Sequence, residues 1–313
     1  MVGAGNWGLT LARNLDALGA LAAVADPDPL ARAAIARAHP AAVLFDHHEG
    51  LLESGVPAVV IATPSPSHHT IARQALLAGK DVFVEKPVAL STREAEELVS
   101  LARTLDRVLM AGHLLLHQPA VRWLKAYLDG GRLGTVYSFN HERLDLGRAC
   151  VEENALWSLG VHDVAALLYL VGEAPQRVFA SGQAVVQPDV EDDVRLRLEF
   201  RSGLQAHLHA SWLWPEKRRR LTVVGERGML VYDEFEQTVR LHRKRIGRHL
   251  DHHDEGHEIV FHGNPNPLRL ELEHFLDRLE DRAAPLSDGE SAARVVRVLE
   301  EASRRLRALE ASL

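Results

Sequence analysis

The stretch Asp81-Val82-Phe83-Val84-Glu85-Lys86-Pro87 combines a strand with a residue able to handle protons. Its β-branched and aromatic residues favour a buried strand, and Pro87 cannot extend a ladder, so Lys86 is delivered to the strand's carboxyl end. Ligands of open α/β sheets bind just outside those ends. Lys80, Lys86, Lys125, Lys217 and Lys244 are the only lysines among 36 Lys and Arg residues. Where arginine supplies the ordinary charge, lysine at this position points to what arginine lacks, a proton it can release; a solvated strand-end charge is the alternative reading. A second candidate is His162 in Trp157-Ser158-Leu159-Gly160-Val161-His162-Asp163, since imidazole titrates near neutral pH, although a structural helical histidine is the alternative.

Near the start, Gly3-x-Gly5-x-x-Gly8 runs into a helical pattern of Leu9, Leu11, Ala12, Leu15 and Leu18 that ends at Gly19. Such a loop turns tightly, brings backbone N–H groups to a pyrophosphate and aims a helix N-terminus at it. A strand at 21–25 then ends at Asp26, about 20 residues downstream, where a carboxylate would bind an adenosine ribose; helix capping beside Pro27 and Pro29 is the other reading. A complete unit needs a buried strand before the glycines. Met1-Val2 is too short for one, and a start upstream is expected.

The elements that must position these residues alternate. A helix at 30–38, strands at 43–45 and 58–62, a helix at 68–78 that Ser67 can cap, the 81–85 strand, a helix opened by Ser91-Thr92-Arg93-Glu94 and a strand at 107–111 predict a parallel sheet with right-handed crossovers. Thr63, Pro64, His68 and His113 fall at the same carboxyl edge as Gly5 and Lys86. Beyond a helix at 119–128, a strand at 134–143 and a helix from 157 to 172, the period changes to two. Residues 193–200 and 205–212 alternate about Ser202-Gly203, with His207 and His209 on one face and Ala206, Leu208 and Ala210 on the other. Residues 221–224 and 229–232 add another pair, and helices at 268–279 and 289–309 close the chain. The polar segment 243–263, with His252, His253, Asp254 and His257, has no tetrahedral ligand spacing; it is expected to be a solvated or substrate-side loop, with metal binding the lesser alternative.

A chain of 313 residues suits two domains, and a formal net charge of −7 gives no global field for nucleic acid or acidic membranes. The runs Lys217-Arg218-Arg219-Arg220 and Arg243-Lys244-Arg245 are expected to be solvated strand faces. The single Cys150 excludes an internal disulfide framework and fits a reducing cytosol, and no apolar run reaches the length of a membrane span. The expected fold is an N-terminal Rossmann dinucleotide-binding domain over residues 1–114 and a C-terminal α+β domain with an open, mainly antiparallel sheet over residues 115–313.

The order of glycine loop, Asp26, Ala-Thr-Pro-x-x-x-His and Glu85-Lys86-Pro87 resembles the Gfo/Idh/MocA family (glucose-fructose oxidoreductase, inositol dehydrogenase, rhizopine catabolism), from Val2 through the C-terminal helix. The resemblance implies NAD as cofactor, held by Gly3, Gly5, Asn6, Trp7, Gly8, Asp26, Thr63, Pro64, His68, Glu85 and Lys86. It places catalytic Lys86 between nicotinamide and substrate hydroxyl, with His162 as the base. Many members carry Asp-x-Gly-x-His where this chain has Ser158, which leaves the division of labour between Lys86 and His162 open. The residues around Arg143, Asn154, Trp157 and His162 look like the branch containing UDP-N-acetylglucosamine 3-dehydrogenases. That implies a substrate site of His113, Arg143, Arg148, Asn154, Trp157, Ser158 and His162, with Arg143 or Arg148 near a diphosphate. Alternatives are a free-sugar or inositol dehydrogenase, or a non-catalytic NAD-binding regulator. The resemblance further implies a homodimer or homotetramer associated through the open sheet, while the residues themselves lead to the expectation of a cytoplasmic protein with no resident metal.

Overall fold

The structure, a computed structural model, describes residues 1–147, 149, 153–247, 249–263 and 266–310. The chain forms two compact units, Met1–His117 with Asn266–Arg297, and Gln118–Pro265 with Val298–Leu313. The first unit begins with α1 (Asn6–Ala17), β1 (Ala23–Ala25), α2 (Pro29–Ala38), β2 (Val43–Phe45), α3 (His48–Glu53) and β3 (Ala58–Ile61). It continues through α4 (His68–Leu77), β4 (Asp81–Glu85), α5 (Thr92–Thr104) and β5 (Leu109–Gly112).

Parallel pairing joins β1 to β2, and β3 to β4 to β5. Val2 takes the place between β1 and β3: it bridges Ala25 on one side and Ile61 on the other, its amide donating to the Val60 carbonyl at 2.8 Å. The strands are thus all parallel and set the glycine loop, Thr63 and Lys86 at one edge. Ser91 opens α5 as expected, accepting from the Glu94 amide at 3.3 Å, and Asp28 caps α2, accepting from the Leu30 amide at 2.9 Å. Ser67 does not cap α4. Its hydroxyl lies 2.7 Å from both Thr63 Oγ1 and the Pro64 carbonyl, because a 3-10 turn at Ser65–Ser67 curls it back toward β3.

The second unit runs α6 (Pro119–Asp129), β6 (Val136–Leu146), a π-helical turn at Leu156–Gly160 and α7 (Val161–Val171), then β7 (Arg177–Gln183), β8 (Asp193–Glu199) and β9 (Gln205–Ser211). It goes on with β10 (Leu213–Gly225), β11 (Gly228–Asp233), β12 (Thr238–Ile246) and β13 (His252–His262). These strands make one open sheet in the order β13-β12-β11-β10-β6-β9-β8-β7, antiparallel except for the central β6–β9 pair. Ala206, Leu208 and Ala210 are buried beneath α7 and the π turn, while His207 and His209 lie on the other face, as the period of two requires.

The His-rich segment is a hairpin rather than a loop, with His242 paired to His257 and Ile246 to His252. Both faces of β13 are largely exposed, so its strand carries no apolar alternation to announce it. The basic runs lie on β10 and β12 and are paired with carboxylates: Lys217 with Asp145 at 3.3 Å, Arg219 with Glu234 at 2.9 Å and Lys244 with Asp254 at 2.9 Å.

After β13 the chain returns to the first unit in α8 (Pro267–Asp281), and α9 (Gly289–Glu310) ends it. Leu268, Leu272 and Phe275, spaced for one helical face, join Leu11, Leu15, Phe83 and Met110 in a single core. The Phe275 and Phe83 rings meet edge to face with centroids 5.7 Å apart. Among the described residues no helix is long and apolar enough to cross a membrane. Phe275→Ala is expected to destabilise the first unit by ~3–5 kcal/mol, since it leaves a cavity in a fully buried site. A fall in that unit's melting transition, with NAD affinity dropping alongside, is the measurement.

Candidate active site

The glycine loop is shaped by backbone proximity. Gly3 has φ +92°, and a Cβ there would lie 2.7 Å from the Ala62 carbonyl oxygen; one on Gly8 would lie 2.3 Å from the Gly3 carbonyl oxygen. Gly5 differs, because a Cβ there would meet nothing within 4 Å, and no side chain caps the first turn of α1. An uncapped, acid-free helix start beside open space fits the diphosphate of a dinucleotide.

Asp26 lies at the end of β1, its Oδ2 accepting the Ala4 amide at 2.6 Å and its Oδ1 the Asp28 amide at 2.8 Å. Gly5, Asn6, Trp7, Asp26, Thr63 and Pro64 border one cavity of about 540 Å3, so the structure gathers most of the expected cofactor residues. Asp46, His47 and His48 line it as well. No motif marked them; α3 carries His48 to the cavity, and that short helix has no strong apolar period. His68 is placed differently. It is 1% exposed, and its Nδ1 and Nε2 lie 2.7 Å from the Pro87 carbonyl and 2.8 Å from the Thr63 carbonyl, so it ties the two strand-end loops together from beneath.

Lys86 sits at the end of β4 as expected. Glu85 before it is buried: its Oε1 accepts the Trp7 indole N–H at 2.6 Å and its Oε2 the Lys86 amide at 3.2 Å. Burial pushes the Glu85 carboxyl up, against the pull of the Trp7 hydrogen bond and of Lys86. His113, two per cent exposed, has no hydrogen-bond partner at either ring nitrogen among the described residues. Burial, helped by the Lys86 charge, pushes its imidazole down to about 4, so it is neutral at physiological pH. Glu271 on α8 belongs to the same buried neighbourhood, and sequence patterning missed it because a lone Glu on an amphipathic helix reads as a solvated position.

In the second unit His162 occupies the first turn of α7, half-buried, directly after the π-helical turn. Such turns recur at functional sites because they re-aim the side chains that follow. Asn154 starts the turn, accepting the Trp157 amide at 3.1 Å through Oδ1 and donating to Glu191 at 2.6 Å, and the Ser158 amide donates to its carbonyl at 3.0 Å. The Trp157 indole donates to Ser303 Oγ at 2.9 Å.

Arg143 does not present its guanidinium to a ligand. It is buried, with Nε 2.8 and 3.0 Å from the two Asp163 carboxylate oxygens and Nη2 2.9 Å from Glu234. Burial works against the cation, but Asp163 and Glu234 outweigh it and hold Arg143 above its usual range. His141 lies 3.3 Å from Asp163, and burial pushes its imidazole down. The diphosphate role expected for Arg143 gives way to a buried ion-pair network, and Arg148 lies outside the described residues.

Three outcomes are expected. Asp26→Asn keeps an acceptor for Ala4 and removes the charge that repels a 2′-phosphate, so the preference for NAD over NADP in kcat/KM should narrow. Asp163→Ala should destabilise by ~3–5 kcal/mol, because it strands a buried cation, rather than act mainly on a substrate KM. The neutral His113 contributes stability that is whole above the ordinary histidine range near 6.5 and is lost as pH falls through about 4. His113→Asn should remove roughly 3 kcal/mol of that acid dependence, read from urea unfolding across this window.

Comparison with known proteins gives this geometry a context. The family model described as "Oxidoreductase family, NAD-binding Rossmann fold" matches residues 1–113, and the Gfo/Idh/MocA C-terminal domain model matches residues 121–231. The chain is 29% identical over 303 residues to a UDP-N-acetylglucosamine 3-dehydrogenase of Acidithiobacillus ferrooxidans, covering 95% of this chain and 93% of the relative. A solved structure of UDP-N-acetylglucosamine 3-dehydrogenase from that organism superposes with TM-score 0.87 at 27% identity, covering 98% of this chain and 96% of the other. The scyllo-inositol 2-dehydrogenase (NAD(+)) of Bacillus subtilis is 26% identical, over 77% of this chain and 72% of its own. The glycine loop, the strand-end Lys86 and the open second sheet are therefore those of a member of the Gfo/Idh/MocA family, NAD-dependent oxidoreductases of sugar hydroxyls.

Proposed function

We propose that this enzyme oxidises the C3 hydroxyl of a nucleotide-activated amino sugar such as UDP-N-acetylglucosamine, using NAD. The observation that carries the reading is the extent of similarity: the UDP-N-acetylglucosamine 3-dehydrogenase matches over 95% of this chain, whereas the inositol dehydrogenase matches over 77%. Gly3, Gly5, Asn6, Trp7, Gly8, Asp26, Thr63 and Pro64 are the residues that would hold the dinucleotide. When bound, NAD supplies the acceptor for the hydride leaving the sugar carbon.

The chain's own residues then have to manage one proton and one developing negative charge. Lys86 orients the hydroxyl and stabilises its oxygen as the C–H bond breaks, because a strand-end ammonium can donate there without moving. His162 accepts the proton; Ser158, in the place of the family's usual aspartate, cannot share that work at neutral pH. The pairing of Lys86 with His162 rests on the family resemblance. Inositol or free-sugar oxidation is the competing reading, and it needs no diphosphate contact.

Thermal shifts with NAD present and a panel of UDP-sugars, free sugars and inositols test the substrate class, since a specific ligand raises Tm by mass action. UDP-N-acetylglucosamine should give the largest shift, and a larger one with an inositol would overturn the assignment. Lys86→Met should lose at least ~1000-fold in kcat while NAD still binds. His162→Asn should lower kcat and erase the acidic limb of the kcat profile. An unchanged limb would make His162 structural.

A further inference from the structure

The Glu85–Glu271 neighbourhood holds two buried carboxyl groups that the proposed chemistry does not use as acids. Their hydrogen-bond surroundings are unequal. Both Glu85 oxygens already accept N–H groups, Oε1 from the Trp7 indole and Oε2 from the Lys86 amide. A proton on either oxygen would weaken the hydrogen bond that oxygen accepts. The space beside Glu85 is closed further by β5, where a Cβ on Gly112 would lie 2.9 Å from Oε2.

Glu271 has the opposite setting. It is 1% exposed, and among the described residues its Oε1 meets no hydrogen-bond donor and it makes no ion pair. Among the titratable groups nearby, Lys86 places its charge on Glu85 and His113. His113 is neutral, and His274, one helical turn along α8, accepts the Leu286 amide on Nε2 at 2.9 Å. The His117 and His274 rings lie tilted against each other with centroids 5.1 Å apart. From α1 the core contributes Leu11, Ala12 and Leu15.

We propose that Glu271 is held as a neutral carboxylic acid and acts as a positioning residue. By keeping the pair's single proton, it leaves Glu85 an acceptor-only carboxylate that joins the glycine loop, through Trp7, to the strand that presents Lys86. Burial and the charge of Glu85 both push Glu271 well above the carboxylate range, in keeping with this division. The inference concerns the first unit alone and stands whichever sugar is the substrate.

The sign of the pH effect follows. A carboxyl raised in the folded state binds a proton that the unfolded chain has released, so its contribution to stability falls as pH rises from the ordinary carboxylate range to the raised value. Glu271→Gln keeps the shape and removes the titration. The ratio of wild-type to variant unfolding constants in urea should therefore grow about tenfold per pH unit across that window. Infrared spectra of the full chain in D2O, without NAD, should show a protonated carboxyl C=O band near neutral pH that Glu271→Gln removes and Glu85→Gln retains. If the Gln variant does not fold, Glu271→Met, of similar volume and without a proton site, replaces it. Loss of the band in Glu85→Gln but not in the Glu271 variant would put the proton on Glu85 and overturn the proposal. A missing wild-type band, or a stability ratio independent of pH, would overturn it as well.

Discussion

The buried Glu85 carboxylate is the contact on which the cofactor half of the site depends. Trp7 reaches it from the first turn of α1, Lys86 donates to it from the end of β4, and the absence of a side chain on Gly112 leaves it room at the end of β5. The two strands among these elements, β4 and β5, are only five and four residues long. Short parallel strands fix their ends poorly on their own, so a charge-assisted hydrogen bond between two loops defines a geometry that the ladder leaves loose. His68 works to the same end from below, bridging the loops after β3 and β4 through backbone carbonyls.

The second unit solves a comparable problem by other means. Asp163 follows His162 on α7, is fully buried, and binds Arg143 of β6 with both carboxylate oxygens. Glu234 completes the charge balance and is itself paired with Arg219 of β10. The network fixes the rotation of the helix that carries His162 against the sheet. Its net contribution to stability is small, because desolvating the ions offsets much of their attraction; what it specifies is one packing of α7 over others. The π turn before α7 sets the start of that helix, and Gly160 permits close contact with Leu156 and Ala210.

A relative named for a nucleotide sugar and one named for an inositol both match this chain, so the shared family does not by itself set the substrate. The parts that bind a dinucleotide and present a lysine depend mainly on backbone conformation and on residues within the first unit. The sheet of the second unit alternates buried and exposed positions along β8 and β9, which leaves one face free to vary.

Several features were legible from residues alone. The glycine loop, Asp26 and the strand-end Lys86 carry local signals, since a tight turn, a carboxylate at fixed spacing and a proline stop are properties of neighbours in sequence. The same holds for the alternation of β8 and β9 and for the capping of α5. Other features were decided only in three dimensions. Strand β13 is largely exposed on both faces and so has no apolar period to read. Arg143 looks like a ligand-binding arginine until Asp163, twenty residues away, is seen to occupy it. Glu271 looks like a solvated helix position until α8 returns across more than a hundred residues to pack beside β4. Sequence thus determined where backbone chemistry is dictated by adjacent residues. Tertiary structure decided which charges are buried together, because desolvation and pairing depend on neighbours that the chain brings in from far away.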